Sequence, residues 1–330
     1  MRVAAPVLRH RFALTSLPWA LALSHVAGFQ PTNFLPGTTN PRRHSSGGGT
    51  QSSVQMSSGN SLFLFDFDGV VCDSCDECTV SALRTCQRLK VFPEDDDKHN
   101  WNNMKQPPAW LFDKMREIRP AIEVGWQIPV MLSVFLEQQN DPGTAMTVDE
   151  MITNYQLLVD HWLEQKAKTD TDMIDTFGSV RDDWIREDLT SWLDINKFYT
   201  GVPEAINNCK GTAVLVTTKQ QRFAVALCRH AGVTESALPD KLIYGLGQYK
   251  NKADVIVDQM AATNTKASHT HFFEDRWPTL AKCLKDTRLD GVNLYLCAWG
   301  YVSKNELELA KAEPRVTVLS LEDFAKVVAG

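Results

Sequence analysis

Apolar residues recur along this chain with two rhythms. Short continuous runs bounded by turn residues lie at 63–65, 213–216, 242–244, 270–273, 292–297 and 316–319. Runs of this length read as strands buried on both faces. Between them, 221–231, 252–262 and 277–285 carry apolar residues at helical spacing, and Ser320-Leu321-Glu322-Asp323 has the form of a capping box opening a last helix. Alternating strand and helix predicts an α/β core, a doubly wound, Rossmann-like parallel sheet. From 79 to 199 no convincing alternation survives. Amphipathic stretches at 79–89, 122–138, 148–166 and 172–193, separated by turn signals such as Pro107-Pro108 and Asp141-Pro142-Gly143, predict an all-helical insertion of domain size. Trp101, Trp110, Trp126, Trp162, Trp184 and Trp192 fall inside it. Most should be core, with one or two lining a cleft against the sheet.

With 330 residues, 43% apolar and 22% charged, the chain can bury a sizeable core. A net charge of −6 gives no support to nonspecific nucleic-acid binding. The charge is uneven. Residues 1–60 hold five arginines and no acid, leaving about −11 on the rest. Arg2, Arg9 and Arg11 precede an apolar run at 12–23, too short to span a bilayer, and Val26-Ala27-Gly28 offers small residues for cleavage. Residues 29–60 are basic, acid-free and hydroxyl-rich, like a transit segment. The expectation is a two-part cleaved leader, signal peptide to about 28 and transit-like segment to 60, addressed to a plastid; plain secretion is the alternative.

Candidate chemistry concentrates at the first strand. The run Phe63-Leu64-Phe65 ends in Asp66-Phe67-Asp68-Gly69. Open α/β sheets place ligands at the carboxyl ends of their strands. Extended backbone points Asp66 and Asp68 to one side, and two close carboxylates need a cation or a shared proton. The alternative is a strand ending in a turn, with Asp68-Gly69 as turn residues. Eight cysteines are scattered except for Cys72, Cys75 and Cys78. No further ligand completes a zinc or iron–sulfur spacing, so ordinary thiols are favoured over a structural metal or redox control. Glu94-Asp95-Asp96-Asp97 reads as a solvated loop. His269 and His271 read as packed or hydrogen-bonded groups on a strand.

These motifs, in this order, resemble the haloacid dehalogenase superfamily of phosphohydrolases over residues 61–330, and its helical-cap, phosphoglycolate phosphatase-like branch in particular. Asp66-Phe67-Asp68-Gly69-Val70 matches the first motif and Val214-Leu215-Val216-Thr217-Thr218 the second. Tyr199-Thr200-Gly201-Val202-Pro203-Glu204-Ala205 is similar to the family's return from cap to core. Lys252 matches the third motif, and Glu274-Asp275 the fourth. The resemblance implies a core of 61–78 and 200–330 with a cap at 79–199. It implies Asp66 as nucleophile, forming an aspartyl-phosphate, and Asp68 as general acid and then base, its backbone carbonyl also facing a metal. Mg2+ is the implied cofactor, held by Asp66 and Asp275 with Asp68, and by Glu274 through a water. At position 274 the family more often has Gly or Asp, which puts that role in doubt.

Thr217 would hydrogen-bond a phosphoryl oxygen; ending a strand is its bland reading. Lys252, opening a helix where a cation is unfavourable, would neutralise the phosphoryl group and Asp66, with Lys250 as competitor. Arg119, before Pro120 at an expected helix start, and Thr218 are substrate-side candidates; a surface salt bridge is the alternative for Arg119. Asp73 marks the entry to the cap or an exposed turn, and Arg276 pairs with an acid or shapes the metal loop. The implied substrate is a small phosphorylated metabolite, with 2-phosphoglycolate a candidate if the leader serves a plastid. Nucleic acid and membrane are not expected partners, and oligomeric state is open. Asp68 argues against a dehalogenase, which has no alkoxide to protonate. A sugar-phosphate mutase shares all four motifs, and a scaffold protein on the same fold would not need them.

Overall fold

The computed structural model describes residues 61–93, 100–140 and 145–329. The expected leader and the acidic run at 94–97 lie outside the described residues. Strand β1 (Ser61–Phe65) runs into a two-residue strand β2 (Cys72–Asp73), then helices α1 (Cys75–Arg88), α2 (Ala109–Ile118), α3 (Ile128–Asn140), α4 (Val148–Thr153), α5 (Tyr155–Gln165) and α6 (Asp170–Asp194). The chain returns through β3 (Lys197–Phe198) and α7 (Val202–Asn207). There follow β4 (Gly211–Val216), α8 (Gln221–His230), β5 (Ile243–Tyr244), α9 (Lys252–Thr263), β6 (Thr270–Glu274) and α10 (Trp277–Leu284). The last elements are β7 (Asn293–Cys297), α11 (Lys304–Ala312), β8 (Val316–Leu319) and α12 (Leu321–Ala329).

Six strands form one parallel sheet in the order β5-β4-β1-β6-β7-β8. Alternation within β1 splits the core in two. Phe63 and Phe65 face one side with Leu215, Phe273, Phe223 and Phe324, while Leu62 and Leu64 face the other with Val214, Phe272, Leu294 and Ile256. Each fully buried side chain of this kind contributes about 1.5–3 kcal/mol, and burial on both faces explains why these strands are continuously apolar. The expected doubly wound sheet is therefore observed, with β1 and β6 at its centre.

The cap has its own core, in which α1 packs against α2, α3 and α6. Leu83, Leu111, Met131, Met151 and Trp162 are buried there. Of the six tryptophans, Trp101, Trp162, Trp184 and Trp192 are buried, and Trp126 lines a cleft. Several expected boundaries move. Where the chain leaves and re-enters the core, β2 and β3 pair antiparallel beneath the helical cap; two residues per strand are too few to show alternation. Helix α1 begins at Cys75, not 79. The stretch from 148 divides at Asn154, and α6 kinks at Asp188 (φ −156°). Pro107-Pro108 is an entry, not only a turn: Pro108 is the N-cap of α2. Helix α11 is opened by Ser303 and Glu306 as a capping box, and its mostly polar surface hid it from the apolar pattern. Arg119 closes α2, where its charge is well placed, and with Pro120 also opens a short 3-10 turn at 119–121, the expected helix start.

Candidate active site

The carboxyl ends of β1 and β6 converge. The Asp66 amide donates to the Phe273 carbonyl at 2.9 Å, continuing the ladder one residue beyond β1. Carboxylate oxygens of Asp66, Glu274 and Asp275 then lie within 4.8 Å of one another, all buried. Among the described residues this is the one such grouping of metal-ligating side chains. Lys252, at the start of α9, reaches in: its Nζ is 2.8 Å from Asp66 Oδ1 and 2.7 Å from Glu274 Oε2. Asn251 caps α9 by accepting from the Asp254 amide, which fixes where Lys252 emerges. Lys250 is exposed, so Lys252 is the lysine at the site.

Glu274 is spoken for on both oxygens, since Oε1 accepts from the Arg276 amide at 3.2 Å. Asp275 is held on one side only. Its Oδ2 accepts from the Tyr301 amide at 2.7 Å, while its Oδ1 is buried without a hydrogen-bond partner. Burial, with too little compensation, pushes Asp66, Glu274 and Asp275 above the ordinary carboxylate range; Lys252 opposes this at Asp66 and Glu274, and Asp66 reinforces it at Asp275. Lys252 is held protonated by Asp66 and Glu274 against its own desolvation. An all-oxygen donor set with an unpaired buried carboxylate oxygen fits a hard divalent cation such as Mg2+. Asp66 and Asp275 could hold it, together with the Asp68 carbonyl. Glu274, bound to Lys252, could act only through an intermediate.

The turn after Asp66 is sterically fixed. Gly69 has φ +89°, and a Cβ there would lie 1.8 Å from Asp275 Oδ2. Gly300 is as tight, its ideal Cβ falling 2.3 Å from the Gly69 carbonyl. Glycine at both positions lets the β1 and β7 loops close around Asp275.

Asp68 faces the cap side. Its Oδ1 accepts from the Ser74 hydroxyl and lies 3.2 Å from Lys219 Nζ. Lys219 also donates its amide to Thr217 Oγ1 at 3.0 Å, so the turn after β4 ties Thr217 to Asp68. That bond uses Thr217 Oγ1 as acceptor and leaves its hydroxyl proton free to donate. Thr218 is half-buried and donates to the Glu123 carbonyl of the cap at 3.3 Å; it links cap to core. Sequence reasoning missed Lys219, although a lysine directly after a strand-ending hydroxyl pair was a legible signal. It also missed Glu77 and Arg181. Arg181 Nε and Nη2 donate to Glu77 at 2.7 and 2.9 Å, and Lys219 Nζ stands 3.8 Å from the same carboxylate. Burial would raise Glu77, but these cations outweigh it and hold the group at about 2.

Arg119 is no surface salt bridge. It is 8% exposed, with its guanidinium 4.2 Å over the Tyr301 ring and Nη1 donating to the Ile122 carbonyl at 3.2 Å. Asp73 is not an exposed turn residue either: it accepts from Arg116, the Cys75 amide and the Tyr301 hydroxyl. The Arg276 guanidinium donates to the Ala121 carbonyl at 3.5 Å, and among the described residues it forms no ion pair. His271 stacks on Phe63 and bonds Tyr295, whereas His269 sits on the short turn before β6. Cys72, Cys75 and Cys78 are buried free thiols, and burial pushes Cys75 up to about 12, as ordinary unreactive thiols require.

No family model matches the chain, and no curated protein does. Among solved structures it is similar to a predicted phosphatase from Clostridium acetobutylicum, with 18% identity over 82% of this chain and 98% of that one and a TM-score of 0.48. It is also similar to a predicted phosphoglycolate phosphatase from Haemophilus somnus, at 15% identity, 81% and 96% coverage and a TM-score of 0.47. A haloacid dehalogenase-like hydrolase from Streptococcus pneumoniae matches at 12% identity, 81% and 97% coverage and a TM-score of 0.43. At these identities and TM-scores the likenesses carry no argument, and the chemistry rests on the residues described above.

Proposed function

We propose that this protein is a Mg2+-dependent phosphoric monoester hydrolase of the haloacid dehalogenase type, acting on a small phosphorylated metabolite. One observation carries the reading: Asp66, Glu274 and Asp275 gather at the strand ends with Lys252 between them and one carboxylate oxygen left unpaired. Three buried carboxylates against one ammonium are unstable as structure alone, and make sense where a cation and a phosphoryl group complete the charge balance.

Bound at Asp66, Asp275 and the Asp68 carbonyl, the cation would supply charge neutralisation between the phosphoryl group and the attacking carboxylate. Asp66 attacks phosphorus, with Lys252 holding its other contacts and countering charge on the phosphoryl oxygens. Thr217 donates its free hydroxyl proton to one of those oxygens. Asp68 gives a proton to the leaving alkoxide, yielding an aspartyl-phosphate, and then takes one from the water that hydrolyses it. Lys219 and Ser74 keep the Asp68 carboxyl oriented through both steps. The helical cap covers this side of the site and limits water to the reacting molecule.

The test is phosphate release from a panel of small phosphoesters, 2-phosphoglycolate among them, with Mg2+ or chelator, comparing wild type with Asp66→Asn. Magnesium-dependent release abolished by Asp66→Asn supports the assignment; release undiminished in that variant ends it. Phosphate moved within the substrate without release would instead favour a mutase. For residues 1–60 the proposal is a plastid leader, checked by whether a fluorescent reporter carrying them reaches the plastid or the medium.

A further inference from the structure

Behind Asp68 runs a chain of alternating charge that ends in the cap. Lys219 Nζ lies 3.2 Å from Asp68 Oδ1 and 3.8 Å from Glu77 Oε2. Glu77, in the first turn of α1, is gripped in turn by Arg181 of α6 at 2.7 and 2.9 Å, by the Ser81 hydroxyl at 2.6 Å and by the Trp192 indole N–H at 3.3 Å. The Lys219 and Glu77 side chains are 2% and 0% exposed. Asp68, Lys219 and Arg181 border a cleft between cap and core, but Glu77 does not line it. Whatever Glu77 does for the reaction therefore passes through Lys219.

Charge pairing alone does not account for this arrangement. The bidentate Arg181–Glu77 contact is already a matched pair, and so is Lys219 with Asp68. What the approach of Glu77 to Lys219 adds is a fixed anchor. An ammonium on a four-carbon stem is mobile. The Lys219 amide donates to Thr217 Oγ1 at 3.0 Å, so the ammonium and the expected phosphoryl position share one turn. With Asp68 as its sole anion, that ammonium would be drawn onto the arriving phosphoryl group, whose negative charge exceeds that of one carboxylate. Glu77, immobile among its own donors, holds it back.

We infer that Glu77 is a positioning residue for proton transfer, acting through Lys219 to keep the Asp68 carboxyl oriented toward the leaving group. With Oδ1 bound by Ser74 and Lys219, Oδ2 is the oxygen that carries the proton. As the bond from Asp66 to phosphorus forms and the ester P–O bond breaks, that proton passes to the departing oxygen. The inference rests on the phosphatase reading above, and extends it to a buried carboxylate that substrate never reaches.

Ethyl phosphate and acetyl phosphate are nearly the same size, but ethoxide needs a proton to leave and acetate does not. The experiment compares their kcat/KM, which reports phosphoryl transfer to Asp66. The ratio of the two, measured on one preparation, does not depend on how much of it is folded. In Glu77→Gln, ethyl phosphate should lose about 100-fold, as when a reacting group shifts by about 1 Å, and acetyl phosphate about threefold or less, since its leaving group takes no proton. Glu77→Asp keeps a charge for Arg181 but draws it back from Lys219, and should shift the ratio by about tenfold. Lys219→Met spares the bond to Thr217, which comes from the backbone, and should shift the ratio as far as Glu77→Gln. The double variant should go no further, because one path is cut twice. Equal losses on both substrates in Glu77→Gln, or losses that add in the double variant, would reduce Glu77 to a structural clamp and overturn the inference. A wild-type ratio in Glu77→Asp or in Lys219→Met would do the same, whether or not Glu77→Gln folds. Turnover of either substrate by wild type keeps the phosphatase reading standing in all these cases. Turnover of neither would remove that reading and the role of Glu77 together.

Discussion

Two buried ionic clusters meet around Asp68, and they are built on opposite balances. At the ends of β1 and β6, the three carboxylates of Asp66, Glu274 and Asp275 crowd together, and the single ammonium of Lys252 reaches two of them, Asp66 and Glu274. Toward the cap, the single carboxylate of Glu77 is shared by Arg181 and Lys219. Both are buried, yet the first set of carboxyl groups is pushed up and Glu77 is held at about 2. Burial alone therefore does not set a carboxyl group's charge; the number of cations that reach it does. An excess of negative charge makes a place that gains from a metal ion. A surplus of positive charge makes a clamp, and this one joins α1 and α6 of the cap to the turn that carries Lys219 and Thr217.

The largest effect should come from the first cluster. Asp66→Asn is expected to lower phosphoester turnover by on the order of 10⁴-fold or more. Its melting temperature in chelator should stay level or rise, because one of three crowded carboxylates is neutralised. A steep loss of stability in that variant would erase the contrast between the clusters. Glu77→Gln should do the reverse, destabilising the fold by about 3–5 kcal/mol in denaturant titration, since the buried Arg181 loses its counter-charge and Lys219 keeps only Asp68. A midpoint within error of wild type would show that the clamp carries no stability.

The pH dependence separates the clusters next. Carboxyl groups raised in the folded state bind protons more tightly there than when unfolded. Stability of the metal-free protein should thus fall as pH climbs from the ordinary carboxylate range to neutrality, by roughly 1–3 kcal/mol. Mg2+ should raise the melting temperature more at about pH 8 than at about pH 5. Glu77, being depressed, works with the opposite sign: its contribution is complete above its ordinary value of 4.5 and is lost only as pH falls through about 2. A magnesium shift that is the same at both pH values would contradict the charge balance assigned to the first cluster. The smallest effect should be that of Tyr301→Phe, which deletes the hydroxyl that accepts from the Ser74 amide and donates to Asp73. About 1 kcal/mol is expected, read as a shift in denaturant midpoint.

Much of the first cluster was legible along the chain. Asp66 and Asp68 end an apolar run, Glu274 and Asp275 end another, and Lys252 opens a helix where only a nearby anion favours it. Little of the second was legible. Glu77 and Arg181 lie 104 positions apart on two amphipathic helices of the cap, where a charge most often faces water, so neither stood out as buried. Arg119 was legible only in part: Pro120 does open a short 3-10 turn, but that the same residue ends α2 and is buried was not to be read from the chain. Helix α2 itself was lost to the two prolines that introduce it, and α11 to its polar surface.

The sequence by itself determined the elements and the inventory: which runs are buried on both faces, where an insertion with its own core interrupts the sheet, and which carboxylates and lysine stand at strand and helix ends. Periodicity and end signals are local properties, and these features need no more than that. Only tertiary structure decided the partners. It paired Glu274 with Lys252, left one oxygen of Asp275 unmatched, gave Lys219 to Asp68 and buried Arg119 over the Tyr301 ring. Such assignments depend on distances between residues far apart in the chain, where a shift of a few ångströms separates an ion pair from a solitary charge.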